Sequence, residues 1–227
     1  MTDLHPSDAM LQKMVPTVMV PLNGIQEPLS TVGHRFLAGA DGLWMEVRQT
    51  WLHAVVPLAL QYSVPMPYGR LRQTALIKSI PYELIRAFQD FARDQLPNEC
   101  AAHIILNNET GTMRLQKLQS ISAGRGHVNV VIEPLSDQEV LVLDIHSHGY
   151  FAPKFSGVDD RDDCMGVKLA GVISFIRTDK LHNDPPRCTA VFRLCLNGKY
   201  IGVLPECRDN HYHFSIEGEK LGTSPTS

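Results

Sequence analysis

The sequence holds no apolar run near the ~20 residues that a membrane helix needs; stretches such as Ala54 to Leu60 or Val140 to Leu143 fall far short. The opening Met-Thr-Asp-Leu-His-Pro lacks the basic and apolar regions of a secretory signal, so the expectation is a cytoplasmic chain. Cys-x-x-Cys pairs are missing among Cys100, Cys164, Cys188, Cys195 and Cys207. Their odd number also argues against a disulfide framework, which leaves reduced thiols. Neither charge dominates: 21 Lys and Arg face 24 Asp and Glu for a formal net charge of -3, so no basic face invites a phosphate backbone. Repeats and low-complexity tracts are absent as well. What is present is 227 residues with 44% hydrophobic side chains, enough for one elaborated domain or two small ones but not three.

Residues 1–79 read as a β-rich N-terminal segment or small domain. The first 13 are polar and expected to be loosely held. From Val15 to about Leu60, Pro and Gly punctuate short apolar runs, and Ala40-Asp41-Gly42 reads as a hairpin turn. Residues 61–79 read as a Pro-interrupted connector. Residues 80–227 read as an α/β (α+β) domain. Pro81 opens an amphipathic helix to about Leu96, with Leu84, Ile85, Phe88, Phe91 and Ala92 at helical spacing. Strands are expected at Ala102–Leu106, Met113–Leu118, Val128–Ile132, Gly171–Ile176, Ala190–Leu196 and Tyr200–Leu204, with a frayed tail after about Gly218. Val140 to Ile145 is almost continuously apolar, which indicates a central strand covered on both faces.

That strand ends in His146-Ser147-His148. Side chains alternate along a strand, so both imidazoles point to one face and place two nitrogen donors side by side. A catalytic zinc takes three protein ligands and keeps one position for water, so a third donor is required. Asp159 is the candidate, seven residues and a Ser-x-x-Asp step beyond His148, in Ser156-Gly157-Val158-Asp159. Ser156 and Asp159 also fit a helix capping box, which would pin Asp159 in a first turn. Glu99, in Pro97-Asn98-Glu99, would complete the site as the acceptor and donor of a proton. Cys100 adjoins it, but no His stands at a telling distance to activate its thiol. Asp144 shares strand parity with both histidines and is a candidate to orient one of them. Asp160, Asp162 and Asp163 read as solvated acids at a helix start. His211-Tyr212-His213 is a second His-x-His without a following Ser-x-x-Asp.

An upstream Glu, His-x-His, seven residues and Ser-x-x-Asp resemble the signature of the JAMM (MPN-plus) zinc metallopeptidases, over about residues 81–205. The resemblance implies a JAMM/cytidine-deaminase-like mixed sheet flanked by helices, with Zn2+ on His146, His148 and Asp159. It makes Glu99 the general acid/base and Ser156 a hydrogen-bond donor to the tetrahedral oxyanion. Eukaryotic deubiquitinases of that family usually carry Pro where Gly149 stands, a departure that weakens the direct transfer of ubiquitin as the implied substrate. The broader layout, with Pro-Asn-Glu-Cys at 97–100 and Phe-Ser-Gly-Val-Asp-Asp at 155–160, is similar to the PRTRC system protein A family of bacterial mobile elements. That likeness implies a small ubiquitin-like protein and a ThiF-type activating enzyme as partners. The expected reaction is hydrolysis of a peptide or isopeptide bond at the tail of such a protein. The alternatives are a non-catalytic scaffold or binding module and a sulfur-carrier tail-processing peptidase.

Overall fold

The computed structural model describes residues 5–60, 66–176 and 186–216. The chain divides into two compact units, Met1–Lys78 and Ser79–Ser227. Among the described residues, no helix is long and apolar enough to cross a membrane.

The first unit opens with α1 (Pro6–Met14), which buries none of its residues. Pro6 stands at the helix start, Asp8 lies in the first turn and Lys13 in the last, a charge order that suits the helix dipole. The polar start is therefore ordered into a helix although it contributes nothing to a core. A five-stranded sheet follows in the order β1 (Thr17–Met19), β2 (Gly33–Ala38), β3 (Gly42–Arg48), β4 (Leu52–Leu60), β5 (Thr74–Ile77). The turn expected at residues 40–42 joins β2 to β3, and the Trp44 indole donates to Asp41 across it. Strand β5 lies inside the stretch read as a connector. Only its Ala75 is buried, so too little apolar alternation marks it in the sequence. Val20, Leu37 and Trp44 form a buried cluster of this unit. Glu46 is buried as well. Burial alone would discourage its ionisation, but the Leu29 amide, His53 and Arg35 outweigh that cost and hold its carboxyl below the usual range.

The second unit is built on an eight-stranded mixed sheet. In chain order its elements are β6 (Ile80–Pro81), α2 (Tyr82–Asp94), β7 (Ala101–Asn107), β8 (Met113–Lys117), β9 (Gln119–Gly124), β10 (His127–Val131), β11 (Glu139–Ser147), α3 (Gly157–Asp162), β12 (Val167–Ile176), β13 (Arg187–Leu196), β14 (Lys199–Arg208) and β15 (His211–Ile216). The strand order is β6-β15-β14-β13-β12-β11-β7-β8, and β9 and β10 form a separate hairpin. The fold is thus α+β with a β-rich N-terminal portion, as expected from the sequence. Helix α2 buries Ile85, Phe88 and Ala92, the stripe its periodicity marked out. Strand β11 lies between β7 and β12, with Val142, Leu143 and Ile145 fully buried, which accounts for its almost continuous apolar run.

In this unit β6, β9 and β15 escaped the sequence reading, β6 because it spans only two residues at the expected helix start. Every residue of β9 but Gly124 is exposed, so no alternation marks it. Strand β15 carries the second His-x-His and pairs with β14 and β6. The expected frayed tail after Gly218 lies outside the described residues. The pairing of β11 with β12 is parallel, so the chain must cross over between them. That crossover, residues 148–166, carries α3 and the residues singled out above.

Candidate metal centre

Both neighbours of β11 grip the peptide between the two histidines. Ser147 donates its amide to the Cys100 carbonyl at 2.8 Å and accepts the Cys100 amide on Oγ at 3.0 Å, while the His148 amide donates to the Ile173 carbonyl at 2.8 Å. This exchange also brings Glu99, next to Cys100, beside His-x-His. Beyond His148 the chain turns, and the His148 Nδ1 faces the Ala152 carbonyl at 3.3 Å. A carbonyl only accepts, so Nδ1 carries the proton and Nε2 keeps its lone pair for the site.

Helix α3 supplies the third group. Ser156 caps it: Oγ accepts the amides of Val158 and Asp159 at 3.3 and 3.4 Å, and Asp159 Oδ2 accepts the Ser156 amide at 2.5 Å. Asp159 divides its oxygens between two tasks. Oδ2 closes the capping box, while Oδ1 lies 3.4 Å from His146 Nε2, which in turn lies 3.1 Å from His148 Nε2. One ligand atom from each of the three residues lies within 4.8 Å of the other two. Donors bound at about 2.0–2.1 Å around a tetrahedral ion stand about 3.4 Å apart, so this donor set fits a zinc ion. Among the described residues no other group of three or more His, Cys, Asp or Glu converges in this way, and the second His-x-His is not part of one.

A cavity of about 460 Å³ is lined by Glu99, His146, His148, Ser156 and Asp159 together. Burial, reinforced by the Asp159 charge, pushes the Glu99 carboxyl up from 4.5 to about 7. Burial also lowers the pKa of His146 against the pull of Asp159, which favours the neutral imidazole that a metal requires. For Asp159, burial opposes ionisation, but the Ser156 hydrogen bonds and the facing histidines outweigh it and hold its carboxyl below the usual range. The Cys100 thiol is pushed up to about 11 by burial, despite its contact with Ser147, and is no nucleophile at neutral pH.

Of the acids around α3, Asp160 and Asp162 are exposed as expected, but Asp163 is not. Asp163 is buried, with Oδ1 2.7 Å from Lys168 Nζ and Oδ2 2.7 Å from Arg193 Nη2. Asp160 lies 2.5 Å from Arg193 Nη1, and only Asp162 lines the cavity without a described ion pair. Asp144 does not hydrogen-bond either histidine. It binds Lys168 at 2.7 Å and stands 3.6 Å from His103 Nε2. Sequence reasoning passed over Lys168 and Arg193, although a cation flanked by apolar residues inside a strand, as in Val167–Ile176 and Arg187–Leu196, is a readable sign of a buried ion pair.

Gly149 has a structural reason to depart from Pro. Its φ is +54°, and a Cβ there would stand 2.8 Å from the Pro97 carbonyl oxygen. Pro is locked near −65° and cannot adopt this turn. Gly149→Ala is expected to lower stability by about 1–3 kcal/mol, read from urea unfolding of the metal-free protein. An unchanged midpoint would show that the turn relaxes freely.

Residues 81–190 match the family model described as prokaryotic homologs of the JAB domain, which supports a JAB-family domain in the second unit. Residues 5–78 match a family described as a domain of unknown function (DUF2016). No curated protein and no solved structure matches the chain.

Proposed function

We propose that the second unit is a zinc-dependent hydrolase that cleaves a peptide or isopeptide bond near the C-terminal tail of a small ubiquitin-like protein. The observation that carries this reading is the convergence of His146, His148 and Asp159 in one cavity with a buried carboxyl, Glu99, whose pKa lies near 7. A zinc ion held by those three donors supplies Lewis acidity that polarises a carbonyl and lowers the pKa of water to about 7. Glu99 accepts the proton of the attacking water and returns it to the leaving amine, a role that suits a group titrating near neutrality. Ser156 uses its oxygen as an acceptor in the cap, so its hydroxyl proton remains available to donate to the carbonyl oxygen as negative charge develops there.

The hairpin favours an extended substrate. Among the described residues strand β10 pairs only with β9, and Val128, Asn129 and Val130 line the cavity. The free edge of β10 offers backbone donors and acceptors to an extended tail, a mode of recognition that suits the flexible end of a small protein. An activating enzyme of ThiF type would be the companion that loads such a tail.

The test is mass spectrometry of the ubiquitin-like protein from the same gene neighbourhood, incubated with zinc-loaded chain. A shortened tail or a released conjugate is expected. An intact protein held in a stable complex would instead favour the scaffold reading.

A further inference from the structure

We infer that Arg193, which lies outside the ring of donor atoms, is a positioning residue that sets the affinity and geometry of the metal centre by gripping α3 at Asp160 and at its C-cap, Asp163. The inference rests on the zinc reading above and extends it to a residue 34 positions downstream of Asp159. Helix α3 spans six residues, too short to be stable alone, and none of them is buried. Its capping box orders the first turn but does not tie the helix to the sheet. Arg193, on β13, supplies that tie. Its Nη1 lies 2.5 Å from Asp160 Oδ1, and its Nη2 and Nε lie 2.7 and 3.2 Å from Asp163 Oδ2. Asp160 follows the candidate ligand directly, and Asp163 is the C-cap of the helix.

The guanidinium is itself fixed. It is sandwiched between the Phe155 ring at 3.9 Å and the Tyr200 ring at 4.2 Å, and the Tyr200 hydroxyl donates to the Asp160 carbonyl. Phe155 precedes Ser156, so one planar cation holds the residue before the cap, the residue after the ligand and the end of the helix. Lys168 continues the chain of charges from Asp163 to Asp144 on β11, the strand that carries both histidines. Strands β11, β12 and β13 are thus coupled to α3 through paired charges. A guanidinium can serve two carboxylates and two aromatic faces at once because it is planar and has five donors, which an ammonium cannot match.

The test measures zinc affinity of the full chain by competition with a chromophoric chelator, together with the visible spectrum of the cobalt(II)-loaded form. Four proteins are compared: wild type, Arg193→Met, Arg193→Lys and Asp160→Asn. Loss of a group that orients a ligand costs about 10–100-fold in metal affinity. Arg193→Met is expected to show a loss of that size with altered cobalt bands. Arg193→Lys should recover part of the affinity, and Asp160→Asn, which removes one of the two grips at a half-exposed carboxylate, should lose less than Arg193→Met. Affinity and cobalt bands equal to wild type in a folded Arg193→Met protein would overturn the inference. If that variant fails to fold, unchanged affinity and spectrum in both Arg193→Lys and Asp160→Asn overturn it equally. A wild type that takes up no zinc would sink the metal reading itself, and this inference with it.

Discussion

Asp159→Asn is expected to abolish stoichiometric zinc and all turnover while leaving α3 in place. The substitution separates the two tasks of this side chain. An Asn carbonyl can still accept the Ser156 amide, as Asp159 Oδ2 does at 2.5 Å, so the cap survives. What is lost is the anionic oxygen 3.4 Å from His146 Nε2. Two neutral imidazoles then remain, and a catalytic zinc site with two protein donors is weaker than one with three. Asp159→Ala should lose metal to the same extent and also lower stability modestly, because it removes one half of the capping box as well. Elemental analysis of protein purified without added metal checks both variants against wild type. Zinc retained at one equivalent in both would remove Asp159 from the donor set.

Glu99→Gln should give the opposite pattern, with metal kept and turnover lost. Glu99 lies outside the converging donor set, so zinc content should match wild type. Positioned acid/base catalysis contributes about 10²–10⁴, and turnover should fall by about that factor. The same variant has a second readout in the metal-free protein. The Glu99 carboxyl titrates near 7 in the folded chain, chiefly because of burial and then because of Asp159, against 4.5 for an ordinary Glu. A raised pKa means that the folded state binds the extra proton. The stability it contributes is fully present below about pH 4.5 and is lost as pH rises through about 7. Gln mimics the neutral acid, so the variant should lack that downward slope. Denaturant unfolding at several pH values between 4.5 and 8, compared with wild type, measures the difference. Parallel pH profiles, or full activity in the variant, would remove Glu99 from the proton transfer.

Features that depend on local period and local hydrogen bonding are legible along the chain. Strand alternation put His146 and His148 on one face, the Ser156–Asp159 spacing closed a capping box, and helical periodicity marked the buried face of α2. The apolar run at 140–145, broken only by Asp144, identified the strand covered on both faces. Strand β9 had no such pattern to show, since its side chains face solvent.

Where these pieces meet depends on contacts between residues far apart in the chain. Glu99 reaches the histidines through the Cys100–Ser147 bonds, across 47 residues of sequence. That pairing depends on a register in which a bulge between Leu141 and Leu143 sets Asp144 opposite His103 and His146 opposite Ala101. A slip of one residue would turn the imidazoles to the other face, and no local pattern encodes that choice. The same holds for charge. Asp163 reads as an exposed helix acid until Lys168 and Arg193 arrive from β12 and β13, and Glu99 reads as an ordinary carboxylate until burial and Asp159 raise its pKa. Burial and long-range pairing are properties of the folded surface, where the energy of a charge depends on its neighbours in space rather than along the chain.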